Sequence, residues 1–245
     1  MPNSEETSSP RILVAPGFCW DACAAYLFDI DGTLLRSRDR VHFNAFADGV
    51  RRATGREISL DGVPVSGNID TSILAEACRQ AGFSDAFFAE NAPAILRAMA
   101  DSVDEHRDEL EPELMPGVEA TLAHLNYKGA LLGVATGNLE AIGWIKLGRA
   151  GLRNWFHFGG FSDRFTVRGQ LVASAAEKAR ELLSNPSASV CVVGDTPRDI
   201  EAARSSQLPV IAVATGHYGF DELAALSPTV CASSLADLLA ATPPR

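Results

Sequence analysis

The sequence predicts an α/β fold, a doubly wound parallel sheet covered by helices on both faces, with an all-helical domain inserted after the first strand. Two observations favour this class. Beyond Pro116, short apolar runs alternate with amphipathic segments, which is typical of parallel strands joined by helices. Between residues 38 and 112 the apolar residues recur with helical spacing, and no convincing strand interrupts them. A chain of 245 residues has room for one large domain or two modest ones.

Composition excludes several classes of partner. The net charge of −10, from 21 basic and 31 acidic residues, argues against a nucleic-acid or anionic membrane surface. The acidic, polar N-terminus does not resemble a secretory signal, and no apolar run reaches membrane-spanning length. Five cysteines, an odd number without a disulfide pattern, fit a reducing environment. We therefore expect a cytoplasmic protein without a membrane or nucleic-acid partner.

The N-terminal part of the chain is predicted to contain an extension followed by the first strand of the core. Residues 1–24 form an N-terminal extension, in which 1–11 are expected to be a tail and the structure of 12–23 is left undefined. Ala24 to Phe28 is short, apolar and partly aromatic, so it predicts a buried strand. Residues 25–37 and 113–245 then make the α/β core, and 38–112 the helical cap.

Three helices are expected in the cap. The first has an apolar face of Phe43, Phe46, Ala47 and Val50 and ends at Gly55. The second begins at Asp70, whose side chain is expected to cap it, has an apolar face of Ile73, Leu74, Ala77 and Cys78, and ends at Gly82. The third has an apolar face of Ile95, Leu96, Met99 and Val103.

The core alternates between strands and helices after the cap. The predicted strands are Ala130 to Ala135, Trp155 to Phe161, Ser189 to Val193, Val210 to Ala214 and a weak one near Val230; helices are expected from Val118, over about Leu171 to Leu183, and from Pro197.

Carboxylates and hydroxyls collect at three of these strand ends. Asp29 and Asp31 follow the first strand, and the period-two geometry of extended backbone turns both side chains to one side. Two like charges this close are costly unless a cation or a proton lies between them. Thr136 and Asn138 follow a second strand, and Asp195 follows a third. In doubly wound sheets, ligands bind beyond the carboxyl ends of the strands, so one site is expected here.

Three motifs carry a resemblance to a known family. Asp29-Ile30-Asp31-Gly32-Thr33-Leu34, Val134-Ala135-Thr136-Gly137-Asn138 and Gly194-Asp195-Thr196-Pro197-Arg198-Asp199 occur in that order at predicted strand ends. Together they resemble the haloacid dehalogenase-like hydrolase superfamily, with a Rossmann-like core. The layout looks most like phosphoglycolate-phosphatase-type enzymes with an all-helical cap. The resemblance implies a Mg²⁺-dependent phosphatase of a small phosphorylated metabolite.

The resemblance also implies roles for the four aspartates. Asp29 would be the nucleophile that forms an aspartyl-phosphate, and Asp31 the general acid and base. Metal ligands would be Asp29, the backbone carbonyl of Asp31 and Asp195, because Mg²⁺ prefers oxygen. Asp199 would act on the metal through water or orient a neighbour, or else be an ordinary acid of the first helical turn. Cap closure is expected to raise the pKa of Asp31.

Phosphate contacts are assigned to a second group of residues. Thr136 would offer its hydroxyl, and Gly32, Gly137 and Asn138 are expected to line the phosphoryl group, the last two through N–H groups at a helix start. The family usually supplies a lysine before the last aspartate motif. Arg168, in a loop ahead of a helix, is favoured here over Lys178, which is expected mid-helix.

Some alternatives stay open on sequence alone. A sugar-phosphate mutase of the same superfamily would keep the same core residues. A phospho-accepting regulatory protein without turnover is a candidate from a different class. The substrate and the oligomeric state are not determined.

Overall fold

The computed structural model describes residues 11–241; the expected tail at 1–11 lies outside this range except for Arg11. The chain folds as a mostly parallel sheet with helices on both faces, so the predicted α/β class is confirmed. In chain order the strands are β1 (Ile12–Val14), β2 (Ala25–Phe28), β3 (Leu35–Ser37), β4 (Pro112–Leu114), β5 (Leu131–Ala135), β6 (Phe158–Gly160), β7 (Val190–Gly194), β8 (Val210–Val213) and β9 (Val230–Ala232). The helices are α1 (Val41–Thr54), α2 (Asp70–Gln80), α3 (Asp85–Glu105), α4 (Val118–Tyr127), α5 (Glu140–Arg149), α6 (Arg168–Leu182), α7 (Pro197–Ser205), α8 (Phe220–Ala225) and α9 (Leu235–Ala240).

Within residues 11–241, seven strands form the main sheet, in the order β1-β9-β8-β7-β2-β5-β6. The central strand β2 pairs in parallel with β5 and with β7, so the ends of these three strands lie side by side. All three strands carry motif residues directly after their last positions. The topology therefore brings the three sequence motifs to one edge of the sheet, as expected for a doubly wound fold.

The strand β1 departs from the predicted all-parallel sheet. Ile12 pairs with Ala232 and Val14 with Val230, in antiparallel register along the outer side of β9. This segment is the part of the chain whose structure the sequence left undefined. A three-residue strand whose partner lies some 220 residues away gives no local periodicity to read.

Burial on both sheet faces explains the apolar character of β2. Tyr26 and Phe28 belong to the hydrophobic cluster on one face, and Ala25 and Leu27 to the cluster on the other. All four are fully buried. A strand covered on both faces reads as a continuous apolar run rather than an alternating one.

The helices α1 to α3 pack around a hydrophobic cluster that includes Phe46, Leu74 and Met99 and that continues onto Leu139 and Ile142 at the start of α5. Two-stranded pairing of β3 with β4 joins this helical insertion to the sheet domain. The sequence did not predict this pair, because each strand has only three residues. No helix among residues 11–241 is both long enough and apolar enough to span a membrane.

Candidate active site

Asp29 stands directly beyond β2, at the centre of the sheet edge. Its N–H donates to the carbonyl of Val193 at 2.9 Å, which continues the parallel ladder one residue past the strand. Only 5% of the residue is exposed. A carboxylate in this position is held by the sheet itself and faces the cavity that the strand ends enclose.

Three buried carboxylates meet at this point. Oxygen atoms of Asp29, Asp195 and Asp199 all lie within 4.8 Å of one another. Desolvation, opposed by Arg168 and reinforced by Asp199 and Asp31, raises the pKa of Asp29 to about 6. Desolvation and the charges of Asp29 and Asp199 raise the pKa of Asp195 to about 8. The cluster is therefore short of positive charge.

Asp195 lies in a close-fitting cradle of backbone. The hydroxyl of Thr33 donates to Asp195 Oδ1 at 2.9 Å. Gly32 has a φ of +88°, and a Cβ at Gly32 or at Gly216 would overlap the Asp195 carboxylate. The N–H of Gly32 donates to the carbonyl of Leu35 at 2.8 Å, so this group is engaged in the turn. The role of Gly32 as a phosphate ligand stays a prediction; what the structure shows is close packing against Asp195.

Arg168 is the first residue of α6, rather than a loop residue as expected. Its Nη2 lies 2.6 Å from Asp199 Oδ1 and 3.0 Å from Asp29 Oδ1, and its Nη1 donates to the carbonyl of Gly67 at 3.2 Å. Arg168 Nε is buried and has no hydrogen-bond partner in the described part of the chain. Lys178 is exposed on the same helix and pairs with Glu181. Of the two basic residues, the structure brings Arg168 to the site.

Asp199 has both carboxylate oxygens engaged. Oδ2 accepts from the N–H and the hydroxyl of Thr196, which makes a capping box at the start of α7. Oδ1 accepts from Arg168. This pattern favours the orienting role among the alternatives for Asp199, since the side chain caps one helix and holds the guanidinium on another.

Thr136, Gly137 and Asn138 line the cavity beyond β5, but α5 begins only at Glu140. The N–H of Asn138 points to Thr136 Oγ1 at 3.4 Å, and the amide Nδ2 of Asn138 donates to the same oxygen at 2.7 Å. Gly137 and Asn138 therefore lie just ahead of the helix rather than at its first residues, and the phosphate-binding role of their N–H groups stays a prediction. The Asn138 side chain contacts Thr136, Asp31 and Lys146.

Lys146 is a residue of this site that the sequence analysis did not single out. Its Nζ, on α5, lies 2.7 and 2.9 Å from the two carboxylate oxygens of Asp31 and 2.9 Å from Asn138 Oδ1. Desolvation alone would raise the pKa of Asp31, but Lys146 lowers it below the usual value. This lowering is opposite in direction to the rise expected for Asp31 on cap closure, which stays a prediction. A lysine on an otherwise apolar helix face, four residues after Ile142, was the available signal.

The cavity above these groups has a volume of about 530 Å³, and residues of the helical insertion such as His42 and Asn68 form part of its lining.

Asp70 was expected to cap α2 with its side chain, but that helix is preceded by Ile69 and has no side-chain cap. The Asp70 carboxylate instead accepts from the N–H of Leu139 at 2.9 Å and lies 3.1 Å from His42 Nε2. Asp70 therefore joins the insertion to the loop after β5.

The donor set at the acidic cluster fits Mg²⁺. Asp29 and Asp195 offer carboxylate oxygens, which this hard cation prefers. Burial and the mutual repulsion of the carboxylates raise the pKa values of Asp29 and Asp195, and Arg168 offsets this only in part. Gly32 and Gly216 pack closely against the Asp195 carboxylate and hold it in one place. Asp29 and Asp195 would hold the ion, with the Asp31 carbonyl as the further ligand that the resemblance implies.

Fold and site together define an α/β enzyme that works at the carboxyl ends of a parallel sheet beneath a helical insertion. The profile of the haloacid dehalogenase-like hydrolases matches residues 23–207, so the chain belongs to this hydrolase family. A phosphoglycolate phosphatase of Yersinia pseudotuberculosis is 26% identical over 227 residues, which cover 87% of this chain and 90% of the relative.

Solved structures share the fold. A predicted phosphoglycolate phosphatase from Haemophilus somnus superposes with a TM-score of 0.63 at 20% identity, covering 90% of this chain and 98% of the other. A β-phosphoglucomutase from Clostridium difficile superposes with a TM-score of 0.59 at 16% identity, covering 82% and 87%.

Proposed function

We propose that this chain is a Mg²⁺-dependent phosphomonoester hydrolase that acts on a small phosphorylated metabolite through an aspartyl-phosphate on Asp29. The observation that carries the proposal is the contact between Arg168 Nη2 and Asp29 Oδ1 at 3.0 Å. A buried guanidinium beside a buried carboxylate gives one place where a phosphoryl group meets both a nucleophile and positive charge. The unpartnered Arg168 Nε supplies a further donor for an anion.

Each half-reaction can be assigned to residues of the site. An oxygen of Asp29 forms a bond to phosphorus while the bond from phosphorus to the leaving oxygen breaks, and protonated Asp31 gives its proton to that oxygen. Asp31, now a carboxylate, then takes a proton from water, whose oxygen attacks phosphorus and releases phosphate from Asp29. Thr136 and Arg168 hold the phosphoryl oxygens through both steps. When bound, Mg²⁺ would supply positive charge against the phosphoryl oxygens and the acidic cluster.

The lowered pKa of Asp31 suits the second half-reaction, because the neighbouring Lys146 favours the carboxylate form, which acts as a base. Entry of an anionic phosphoryl group would favour protonation of Asp31, since a nearby like charge raises a carboxyl pKa. The same residue can then serve as the acid in the first step.

Residues 38–112 are proposed as the cap, 25–37 and 113–245 as the catalytic core, and 1–24 as an extension. Several hydrogen bonds tie α2 to the core, among them Asp70 N–H to the carbonyl of Gly137 at 2.8 Å and Thr71 Oγ1 to the carbonyl of Phe165 at 3.0 Å. All five cysteines are free thiols, which supports the cytoplasm as the proposed location.

The decisive experiment measures phosphate release from a panel of phosphorylated metabolites for the parent and two variants. Asp29→Asn should abolish turnover, because an amide is a poor nucleophile. Asp31→Asn should lose about 10²- to 10⁴-fold in rate, the usual contribution of proton transfer. Substantial phosphate release by Asp29→Asn would contradict the mechanism.

The same panel separates the alternatives. A mutase would convert one phosphate ester into an isomer and require a bisphosphate primer, with little free phosphate. A phospho-accepting regulatory protein would retain the aspartyl-phosphate without turnover. Rapid, stoichiometric phosphate release supports the hydrolase.

A further inference from the structure

Lys146 presents an ammonium group to the centre of the site although the family motifs do not include it. Its side chain is only 3% exposed, whereas that of Asp31 is 43% exposed. A buried lysine without a partner would be strongly disfavoured, so the three acceptors around Nζ account for its presence. These are Asp31 Oδ1 at 2.9 Å, Asp31 Oδ2 at 2.7 Å and Asn138 Oδ1 at 2.9 Å.

The three acceptors match the three N–H donors of an ammonium group. Two contacts go to the two oxygens of one carboxylate, and this fixes the plane in which the Asp31 side chain lies. A second clamp comes from Asn138 Nδ2, which donates to Asp31 Oδ2 at 2.9 Å. Rotation of the carboxylate about its bond to the backbone would break contacts to both neighbours.

Lys146 also fixes the orientation of the Asn138 amide. Because an ammonium can only donate, the amide oxygen must face Lys146 and the amide nitrogen must face Asp31. That nitrogen also donates to Thr136 Oγ1 at 2.7 Å. The Thr136 oxygen thus acts as an acceptor inside the network, and its own proton is left to point elsewhere.

We propose that Lys146 is a positioning residue that holds the Asp31 carboxylate in the orientation required for proton transfer, with Asn138 as its second support. The inference rests on the proposed function, because it assigns Lys146 to the proton-transfer step of that reaction. It differs from a substrate-binding role: all three donors of Lys146 are used within the chain, so none is left for a phosphoryl group.

The test compares two substrates whose leaving groups differ in their need for an acid. An alkyl phosphate, such as glycerol phosphate, must have its leaving oxygen protonated, whereas the p-nitrophenolate of p-nitrophenyl phosphate departs without a proton. The variant Lys146→Met keeps the length of the side chain and removes the ammonium. Because the Asp31 side chain stays in contact with solvent, the variant is expected to fold, which circular dichroism and thermal melting would check.

We expect Lys146→Met to lower kcat/KM for the alkyl phosphate about 100-fold, and kcat/KM for p-nitrophenyl phosphate by less than about tenfold. The ratio kcat/KM is compared because it reports the first half-reaction, whereas kcat also includes the attack of water on the aspartyl-phosphate that both esters share. In an Asp31→Asn background, Lys146→Met should no longer discriminate between the two esters, since no acid remains to be positioned. Lys178→Met removes an exposed lysine and is the matched control, with no effect on either substrate.

Equal losses of kcat/KM on the two esters, or losses that come from a higher KM alone, would overturn the assignment. Should Lys146→Met fail to fold, Lys146→Gln keeps one donor at the same place and should show the same ranking of losses with a smaller size. An inactive parent would overturn the proposed function and this inference together. An active parent with no leaving-group discrimination in either variant would overturn the inference alone.

Discussion

Arg168 Nη2 lies 3.0 Å from Asp29 Oδ1, and the same nitrogen lies 2.6 Å from Asp199 Oδ1. One guanidinium group therefore joins the end of β2 to the start of α7. Its other terminal nitrogen reaches the carbonyl of Gly67 in the loop before α2. Arg168 thus contacts the proposed nucleophile, the core and the helical insertion with one side chain.

Replacing Arg168 should therefore affect both rate and stability. Arg168→Ala would leave buried Asp29 and Asp199 without their cation, which we expect to cost about 3 kcal/mol in unfolding free energy. The rate should fall by roughly 10²- to 10³-fold because a transition-state donor is lost. Arg168→Lys should recover part of the stability and less of the rate, since a point charge cannot form two parallel bonds.

Urea unfolding and phosphate release would measure the two effects. Lys178→Ala is the control on the same helix, and it should stay within about 0.5 kcal/mol of the parent with a normal rate. An inactive Lys178→Ala beside an active Arg168→Ala would show that the basic residue of the site has been misassigned.

Metal removal should abolish activity and lower thermal stability. The acidic cluster of Asp29, Asp195 and Asp199 contains three carboxylates, and Arg168 contacts only two of them. Mg²⁺ that binds only the folded chain should therefore stabilise it by about 2.7 kcal/mol at a concentration 100 times its Kd. Asp195→Ala should remove this Mg²⁺-dependent shift in the melting temperature. Full activity in EDTA, or an unchanged shift in Asp195→Ala, would contradict the assigned site.

A substitution at Gly216 tests the close packing of backbone around Asp195 without removing any carboxylate group. A Cβ at Gly216 would overlap the Asp195 carboxylate, so Gly216→Ala should displace it and raise the Mg²⁺ concentration for half-maximal activity by about tenfold or more. Gly148→Ala, on α5, is the control because no atom lies within 4 Å of the added methyl. It should gain roughly 0.5–1 kcal/mol of stability and keep the Mg²⁺ response.

Asp21, which lies outside the active site, should make the free energy of unfolding depend on pH. Its buried carboxylate accepts from His124 Nε2 and Lys128 Nζ, both at 2.9 Å, and from Cys19 Sγ. Desolvation opposes ionisation, but these donors outweigh it and hold the pKa of Asp21 well below its usual value. Because the folded chain binds the proton less readily than the unfolded chain, this stabilisation is complete above about pH 4 and is lost as the pH falls further.

The variant Asp21→Asn should therefore be less stable than the parent at pH 7, by about 2 kcal/mol. The difference should shrink as the pH drops below 4, because the unfolded parent then takes up a proton on Asp21 that the folded chain does not. Urea midpoints at pH 7, 5 and 3.5 would show this trend. A gap that stays constant across that range would mean that the charge of Asp21 contributes nothing to stability.

The sequence was most informative where chemistry is concentrated in a short stretch. Asp29 and Asp31 could be placed at a sheet edge because the apolar run before them reads as a strand buried on both faces. Lys146 could not be placed in the same way, because its acceptors, Asp31 and Asn138, lie in the loops after β2 and β5 and meet α5 only in the folded chain. Asp70 was misread because an acid at a helix start usually caps that helix, whereas here its carboxylate reaches across to Leu139.

The short strand β1 has a consequence for how copies of the chain meet one another. It covers the outer edge of β9, and Ala15 N–H extends this pairing by donating to the carbonyl of Thr229 at 2.8 Å. An uncovered strand edge is a template for pairing with another chain, and a very short edge strand is a poor one. A chain shortened to begin at Ala24 would expose the β9 backbone, and we therefore expect it to self-associate and precipitate while its catalytic residues stay intact.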